Sequence, residues 1–279
     1  MLRAWPHNPS SCLPDYLILK ECCRSINTGL SVLVSCRCCR YAAAESSVYS
    51  EGGEDGLLPQ IFSDIGSGGK LFVETGAVDG SYASTRDLKV SSGWAGMYVD
   101  AAHSVPEEGF IATDMGTFDT FGDFLKAQGT PKELDLLVLR SSNDFALWVS
   151  VTLADIRPRV VTATFHPGLG ADSLLVASES ASLDLLATAG SVGPGCSLSA
   201  ITWLAKQLEY VCVHIDRLGL YVVCVDRSEV DRVVGPKEHW NNAALLWKIM
   251  EYHPDTGHLA QRVWVAPEKW LSEQGLALQ

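Results

Sequence analysis

The sequence predicts an α/β fold built on a doubly wound, mostly parallel sheet of seven strands. Short apolar runs of strand length alternate with segments whose apolar residues recur at helical spacing, which is typical of parallel sheets with right-handed crossovers. The segment YVCVHIDRLGLYVVCVDR (210–227) instead indicates two strands joined by a tight turn around Leu218 and Gly219. This hairpin predicts that one edge strand of the sheet runs antiparallel.

The other elements follow in a regular order after residue 48. Apolar spacing predicts a first helix over EDGLLPQIFSDIG (54–66), in which Pro59 is tolerable only in the first turn. The five strands before the hairpin are KLFVETG (70–76), GMYVDA (96–101), GFIATD (109–114), DLLVLR (135–140) and RVVTATFH (159–166). The remaining helices are TFGDFLKAQG (120–129), SLSAITWLAKQLEY (197–210), AALLWKIMEYH (243–253) and APEKWLSEQG (266–275).

Three regions are predicted along the chain. Residues 1–47 form an irregular, cysteine-rich extension, residues 48–230 the α/β domain, and residues 231–279 a helical extension. The N-terminal CRCC cluster could bind zinc, but it lacks paired C-x-x-C spacing and a nearby histidine, so an irregular segment is preferred. Because residues 1–45 lack a sustained apolar period, deleting them is expected to leave the melting temperature nearly unchanged.

The cysteines of the body are interpreted as small buried hydrophobes. Cys212 and Cys224 lie inside apolar strand-like runs, and Cys196 stands alone, which favours a reduced, intracellular environment with a cytoplasmic location. The N-terminal extension contains Arg and Ser and few acids, so organellar targeting stays open as an alternative.

The charge of the chain limits its partners. The net charge is −12, and an acidic body repels phosphate backbones, so no nucleic-acid partner is expected. No apolar run reaches the roughly 18 residues of a membrane span, so no membrane-spanning segment is expected. A small or basic ligand fits this balance better.

A glycine-containing loop directly after the first strand is the main candidate site. In such sheets ligands bind beyond the carboxyl ends of the strands, where glycine admits close backbone approach and acids receive hydroxyls. Asp100 follows Gly76 by about one strand–helix–strand unit and could accept both ribose hydroxyls of an adenosine; solvated strand ends are the alternative. The candidate cofactor-binding residues are Glu74, Gly76, Asp79, Gly80, Asp100 and Asp114.

The loop does not match a phosphate-binding motif. It lacks Gly-x-Gly-x-x-Gly, and neighbouring acids would repel a pyrophosphate. S-adenosylmethionine carries adenosine and a cationic sulfonium without phosphate, so it is the cofactor that this loop favours.

Two segments, YSEGGEDGLLPQIFSDIG (49–66) and LFVETGAVDGSYASTRDLKVSSGWAGMYVDA (71–101), resemble the FkbM-like S-adenosylmethionine-dependent methyltransferases. Glu51 and Ser84 depart from the glutamine and asparagine usual there. The resemblance covers roughly residues 48–230 and implies a Rossmann-like sheet of the methyltransferase type with S-adenosylmethionine as cofactor. The matching residues are Tyr49, Ser50, Gly53, Glu54, Asp55, Glu74, Gly76, Asp79, Gly80, Thr85, Gly93, Trp94 and Gly96.

The resemblance weakens where the family faces the transferred methyl group. Arg140, Ser141 and Ser142 replace acids after the fourth strand, and Thr164, Phe165 and His166 replace the Glu-Tyr-Asn often found after the fifth. The candidate catalytic residues are Asp144, to orient a substrate hydroxyl or amine, and His166, as general base. Their alternatives are a helix N-cap and a hydrogen-bonded strand-end histidine. Trp94 and His214 are expected to be structural.

These observations predict a methyltransferase-like protein that acts on a hydroxyl or amine of a small molecule or glycan, without a metal. The alternative is a catalytically weak or inactive protein that keeps the fold as a binding or scaffold module, which the lost acids favour. A nicotinamide-dependent oxidoreductase is disfavoured because the phosphate fingerprint is absent.

Overall fold

The computed structural model describes residues 40–77, 80–100, 110–112, 118–178, 195–235, 237–247 and 263–277. The helices are α1 (Arg40–Ala44), α2 (Glu54–Ile65), α3 (Arg86–Ser92), α4 (Phe118–Ala127), α5 (Asp144–Leu153), α6 (Leu198–Gln207), α7 (Ala243–Trp247) and α8 (Pro267–Glu273). The strands are β1 (Leu71–Thr75), β2 (Ala95–Asp100), β3 (Phe110–Ala112), β4 (Glu133–Val138), β5 (Arg157–Thr164), β6 (Val176–Ala177), β7 (Tyr210–Ile215), β8 (Tyr221–Asp226) and β9 (Trp264–Val265). The predicted α/β class with a mostly parallel, mixed sheet is confirmed.

The main sheet has the strand order β3-β2-β1-β4-β5-β8-β7, and β6 pairs with β9 in a separate two-stranded sheet. Neighbouring strands from β3 through β5 are parallel, whereas β8 is antiparallel to both β5 and β7. The expectation that the antiparallel strand forms an edge is therefore wrong. The returning strand of the hairpin pairs with β5 and leaves β7 at the edge, and the turn sequence alone does not select this partner.

Two apolar clusters cover the two faces of the sheet. On one face α2 contributes Leu58 and Ile61, and Trp94 packs edge-on against Phe62 with ring centroids 4.6 Å apart. The expected packing role of Trp94 is thus confirmed. On the other face α4, α5, α6 and α8 pack together, with Trp148 at the centre. Helix α5 is buried around almost its whole circumference, and most of its side chains are apolar.

The ends of several elements agree with local sequence signals. Ser197 caps α6 by accepting a hydrogen bond from the Ala200 N–H at 3.1 Å, and Pro267 occupies the first turn of α8. Pro59, by contrast, is the sixth residue of α2 rather than part of its first turn. The helix continues through it because α2 packs tightly on the sheet.

Cys212 and Cys224 form a disulfide between β7 and β8. The two residues are register partners on adjacent antiparallel strands, so their side chains share one face of the sheet. The interpretation of both as unpaired small hydrophobes is wrong, because the register of the hairpin places the two side chains opposite each other. Cys196 is buried outside this disulfide, and its thiol donates to the Thr164 carbonyl at 3.7 Å.

Parts of both predicted extensions pack against the domain. The Glu45 carboxylate is buried and lies 2.8 Å both from Nε2 of His214 and from the Arg217 guanidinium, and Trp270 of α8 lies in the core. His214 is therefore structural, as expected. Contacts with the domain therefore continue on both sides of residues 48–230, whereas residues 1–39, with the CRCC cluster, lie outside the described residues.

Replacing Glu45 with alanine is expected to lower the free energy of unfolding by about 1.5–3 kcal/mol, because it removes charge-assisted hydrogen bonds from a buried carboxylate. Urea unfolding would measure the loss, with the exposed Glu51→Ala as control. A deletion of residues 1–39 should preserve stability. A deletion of residues 1–45, which the sequence alone predicts to be neutral, should instead lower stability because it removes Glu45. Equal stability of the two deletions would show that Glu45 does not join this segment to the domain.

Candidate functional site

The candidate site lies at the carboxyl-end edge of the sheet, where β1 is flanked by β2 and β4. The chain adds strands outward in one direction from β1 through β2 and β3, and in the other from β4 through β5. Ligands of open α/β sheets bind at such a reversal of strand order. The ends of these strands carry Glu74, Asp100, Arg140 and Asp144.

Gly76 brings the loop after β1 close to both neighbouring strand ends. Its φ is +67°, and its N–H donates to the Val99 carbonyl at 3.1 Å. A Cβ at this position would collide with the carbonyl oxygen of Arg140. Only glycine combines this backbone conformation with this approach, so the predicted importance of Gly76 has a structural basis.

Glu74 supports the loop from beneath. Its buried carboxylate accepts hydrogen bonds from the Ser84 N–H at 2.8 Å, the Thr85 N–H at 3.0 Å and the Thr85 hydroxyl at 2.7 Å. Burial raises the pKa of Glu74, and the nearby Arg140 charge and these hydrogen bonds oppose the rise. Glu74 therefore positions the segment that follows the loop, and its predicted contact with a cofactor stays a prediction.

The remaining cofactor-binding candidates differ in what the structure describes. Gly80 has a φ of +77°, donates to the Ala77 carbonyl at 2.7 Å and accepts from Arg86 at 3.1 Å. Asp79 and Asp114 lie outside the described residues. Asp100 is the buried last residue of β2 and follows Val99, which holds the Gly76 turn. Asp100 and the turn are therefore adjacent, and the predicted contact of Asp100 with a cofactor stays a prediction.

Arg140 is the centre of a buried charge cluster that the sequence reasoning missed. Its Nη1 lies 3.6 Å from the Glu74 carboxylate and donates to the Tyr82 carbonyl at 2.7 Å, while the guanidinium lies 5.7 Å from the Tyr221 ring centroid. Glu54 joins the cluster through Ser84, whose hydroxyl donates to it at 2.9 Å. Burial raises the pKa of Glu54, and the charge of Arg140 opposes this.

A signal for part of this cluster was present in the sequence. Glu54 belongs to the Tyr-Ser-x-x-Gly-Glu-Asp motif, whereas the sequence around Arg140 shows only that an arginine replaces an acid. Asp55 of the same motif stabilises the preceding loop. Its carboxylate accepts hydrogen bonds from the N–H groups of Val48, Tyr49 and Ser50 at 2.6–2.9 Å. The motif therefore supports the site through buried carboxylates.

Asp144 connects the turn after β4 to the end of β5. One carboxylate oxygen accepts from the N–H and hydroxyl of Ser141 at 2.7 and 2.8 Å, and the other from the N–H and hydroxyl of Thr164 at 2.7 and 2.6 Å. Burial raises its pKa to about 6 although these bonds lower it. Asn143, not Asp144, occupies the N-cap of α5, so the N-cap alternative is wrong.

His166 follows β5 and is nearly buried. Its Nδ1 accepts a hydrogen bond from the Gly168 N–H at 3.1 Å, and its backbone N–H donates to Cys196 at 2.7 Å. Since Nδ1 acts as acceptor, the neutral ring carries its proton on Nε2. This arrangement is that of a hydrogen-bonded strand-end histidine, and the ring has no free basic nitrogen in its neutral form.

Asp216 gives the same edge of the sheet a pH-dependent stability. Its carboxylate accepts from Leu220 at 2.7 Å and Tyr221 at 2.6 Å, and burial together with the charges of Glu54 and Glu45 raises its pKa to about 7. The folded state therefore holds a proton that the unfolded state, with a pKa near 3.8, releases. Stability contributed by this group is present at low pH and is lost as pH rises through about 7.

We accordingly expect the free energy of unfolding to fall on the order of 2 kcal/mol between about pH 4 and pH 7. Urea unfolding at a series of pH values would measure the slope. Asp216→Asn keeps the oxygen that accepts from Leu220 and Tyr221 and should make this pH slope smaller, whereas the exposed Asp155→Asn should not change it. A slope unchanged by Asp216→Asn would contradict the assignment.

A cavity of about 620 Å³ lies at the opposite, amino-end edge of the sheet. Charged residues of its lining pair with one another, so it is not chosen as the candidate site. Arg157 pairs with Asp226 at 2.6 Å, and Arg159 pairs with Glu229 and Asp135, both at 2.9 Å. Both arginines therefore form ion pairs that connect the end of β5 to neighbouring segments.

Within the described ranges, no group of three or more His, Cys, Asp or Glu side chains is arranged to hold a metal ion. Among the same residues no helix is both long and apolar enough to cross a bilayer. Neither the protein-family models nor the curated proteins compared with this chain give a match.

Proposed function

We propose that this protein binds S-adenosylmethionine at the carboxyl-end edge of a doubly wound, seven-stranded sheet of the methyltransferase type. We further propose that it transfers the methyl group only slowly, to a hydroxyl or amine of a small molecule or glycan. The observation that carries the proposal is the position of Asp100, which ends β2 directly beside the Gly76 turn at the reversal of strand order.

The chemistry of the donor set supports this cofactor. A carboxylate at the end of β2 can accept the two ribose hydroxyls of adenosine. Glu54 and Glu74 give the neighbouring cluster two carboxylates against the single guanidinium of Arg140, a balance that disfavours a pyrophosphate and favours a cationic sulfonium. Dinucleotide cofactors are therefore the weaker candidates.

The expectation of slow transfer rests on the two candidate catalytic side chains. All four hydrogen bonds of Asp144 go to its own backbone turn and to β5, and the Nδ1 of His166 is taken by Gly168. Methyl transfer mainly needs alignment, and a general base typically adds about 10²–10⁴-fold. Without such help the protein would bind the cofactor but turn over slowly.

The same engaged side chains favour a second function. A scaffold or binding protein that keeps the fold needs Asp144 and His166 only for structure, and the contacts of both side chains support that role. The two functions differ in their outcome with a methyl acceptor, since a scaffold gives cofactor binding without any turnover.

Replacing Asp100 with alanine is expected to weaken S-adenosylmethionine binding by roughly tenfold or more, because a charge-assisted acceptor worth about 1.5–3 kcal/mol is lost. Calorimetry with S-adenosylmethionine and with NAD would measure this. Asp100→Asn keeps the shape and removes the charge, and Asp155→Asn serves as the control on an exposed carboxylate.

Equal affinity of the parent and both Asp100 variants would exclude the ribose assignment. Preference for NAD would exclude the cofactor, and the absence of any binding would leave the scaffold function alone. A methyl-transfer screen with hydroxyl and amine acceptors then separates slow turnover from none.

A further inference from the structure

The outer face of α6 forms the floor of a groove that is separate from the candidate site around Arg140. The groove has a volume of about 600 Å³, within the range of small-molecule sites. Residues at helical spacing on α6 supply the floor, and the segments before β6 and before α7 supply the walls. The lining residues that matter for a ligand are Asp172, Trp203, Lys206, Trp240, Asn241 and Asn242.

Trp203 is the central aromatic side chain of this groove. It is half-buried, because part of the indole packs against the core that α6 covers, and the rest faces the groove. Trp240 lies across from it and belongs to the cluster on the other face of the sheet. Lys237 already covers Trp240, with its Nζ 5.4 Å from the ring centroid. Trp203 is therefore the ring better placed to receive a ligand.

The polar side chains of the groove are suited to hydroxyl groups. Asp172 is an acceptor, Lys206 is a donor, and both are exposed. Asn242 uses its Oδ1 to accept from Leu245 at 3.2 Å, which leaves its amide N–H₂ for another partner. Asn241 instead holds the edge strand β7, accepting from Cys212 at 2.7 Å and donating to Tyr210 at 3.2 Å. The wall of the groove is thus fixed to the sheet.

The charges of the groove select the class of ligand. One carboxylate and one ammonium line it, so neither an anion nor a cation is favoured as a whole. A nucleotide phosphate would meet Asp172, and a quaternary ammonium would meet Lys206. A neutral ligand that offers C–H groups to the electron-rich face of an indole and hydroxyls to the surrounding side chains fits both conditions.

We propose that this groove binds a neutral saccharide, with one sugar ring stacked on Trp203 and its hydroxyls bonded by Asp172, Lys206 and Asn242. The site stands on its own geometry. Saccharide binding itself does not depend on the proposed function. Only the further step, that the bound saccharide is the methyl acceptor, rests on the proposed function.

The test titrates the full chain with cellohexaose, maltohexaose and chitohexaose while the indole N–H resonances are followed by NMR. We expect at least one oligosaccharide to shift the Trp203 resonance. Trp203→Ala should weaken its binding by about tenfold, and Trp203→Phe should retain most of it. Asp172→Asn should also weaken it, and since Asp172 is exposed this variant keeps the fold even if Trp203→Ala does not.

Val90→Ala, at an exposed position on α3, is the matched control and should bind like the parent. The proposal is overturned if none of the three oligosaccharides binds, if Trp203→Ala and Asp172→Asn bind them like the parent, or if AMP or tetramethylammonium occupies the groove instead. Calorimetry with S-adenosylmethionine on the same samples reports on the other site. Loss of one binding activity is therefore distinguishable from loss of the other.

Discussion

Replacing Arg140 with methionine is expected to lower the free energy of unfolding by about 3–5 kcal/mol at neutral pH. Methionine preserves the unbranched, apolar part of the side chain but removes the cation that offsets Glu54 and Glu74. Both carboxylates are fully buried, and burial raises the pKa of each. Without the guanidinium, one or both must be protonated or remain as uncompensated buried charges.

The pH dependence of the stability of this variant provides a second test of the charge cluster. Because the folded-state pKa of each glutamate is raised, folded Glu54 and Glu74 take up protons at a higher pH than in the unfolded chain. Stability of Arg140→Met should therefore rise as pH falls, and the deficit relative to the parent should shrink. Urea unfolding across a pH series measures both quantities.

The matched control for this experiment is Arg227→Met. Arg227 is exposed and its Nε lies 3.8 Å from Glu209, so its loss should change stability by no more than about 1 kcal/mol. An Arg140→Met protein as stable as the parent at neutral pH would show that the cluster does not need its cation. A deficit that persists unchanged at low pH would show that packing, rather than charge, is responsible.

The position of the candidate site could be predicted because it follows from local signals and one topological rule. Apolar runs located β1 and β2, and the carboxyl ends of parallel strands must meet at one edge of the sheet. Glu74, Gly76 and Asp100 therefore had to be neighbours. The role of Glu74 could not be predicted, since the direction of a buried carboxylate depends on which backbone N–H groups the loop presents to it.

The charge cluster depends on contacts between distant segments. Glu54, Arg140 and Tyr221 come from three separate parts of the chain, and Tyr221 reaches Arg140 because β8 lies next to β5. The disulfide depends instead on the register within one hairpin, which pairs Cys212 with Cys224. A single sequence carries strong signals for strands and turns, whereas the choice of pairing partner is decided by the packing of the whole sheet.

Asp144→Ala is expected to cost on the order of 4 kcal/mol of stability, because it leaves two backbone N–H groups and two hydroxyls without their buried acceptor. Ser141→Ala and Thr164→Val each remove one hydroxyl and keep the backbone N–H, so each should cost about 1–2 kcal/mol. Asp144→Asn should fall between these limits, since an amide nitrogen cannot accept from a backbone N–H.

This series distinguishes a structural Asp144 from a catalytic one. A residue retained for chemistry at the expense of stability leaves stability unchanged or raises it when it is replaced. A residue that joins the turn after β4 to the end of β5 destabilises in proportion to the hydrogen bonds removed. Urea unfolding of the unliganded proteins measures the order of the variants, with the exposed Asp123→Ala, expected within about 0.5 kcal/mol of the parent, as control. Parental stability of Asp144→Ala, combined with loss of methyl transfer, would return Asp144 to the catalytic role that its position after the fourth strand first suggested.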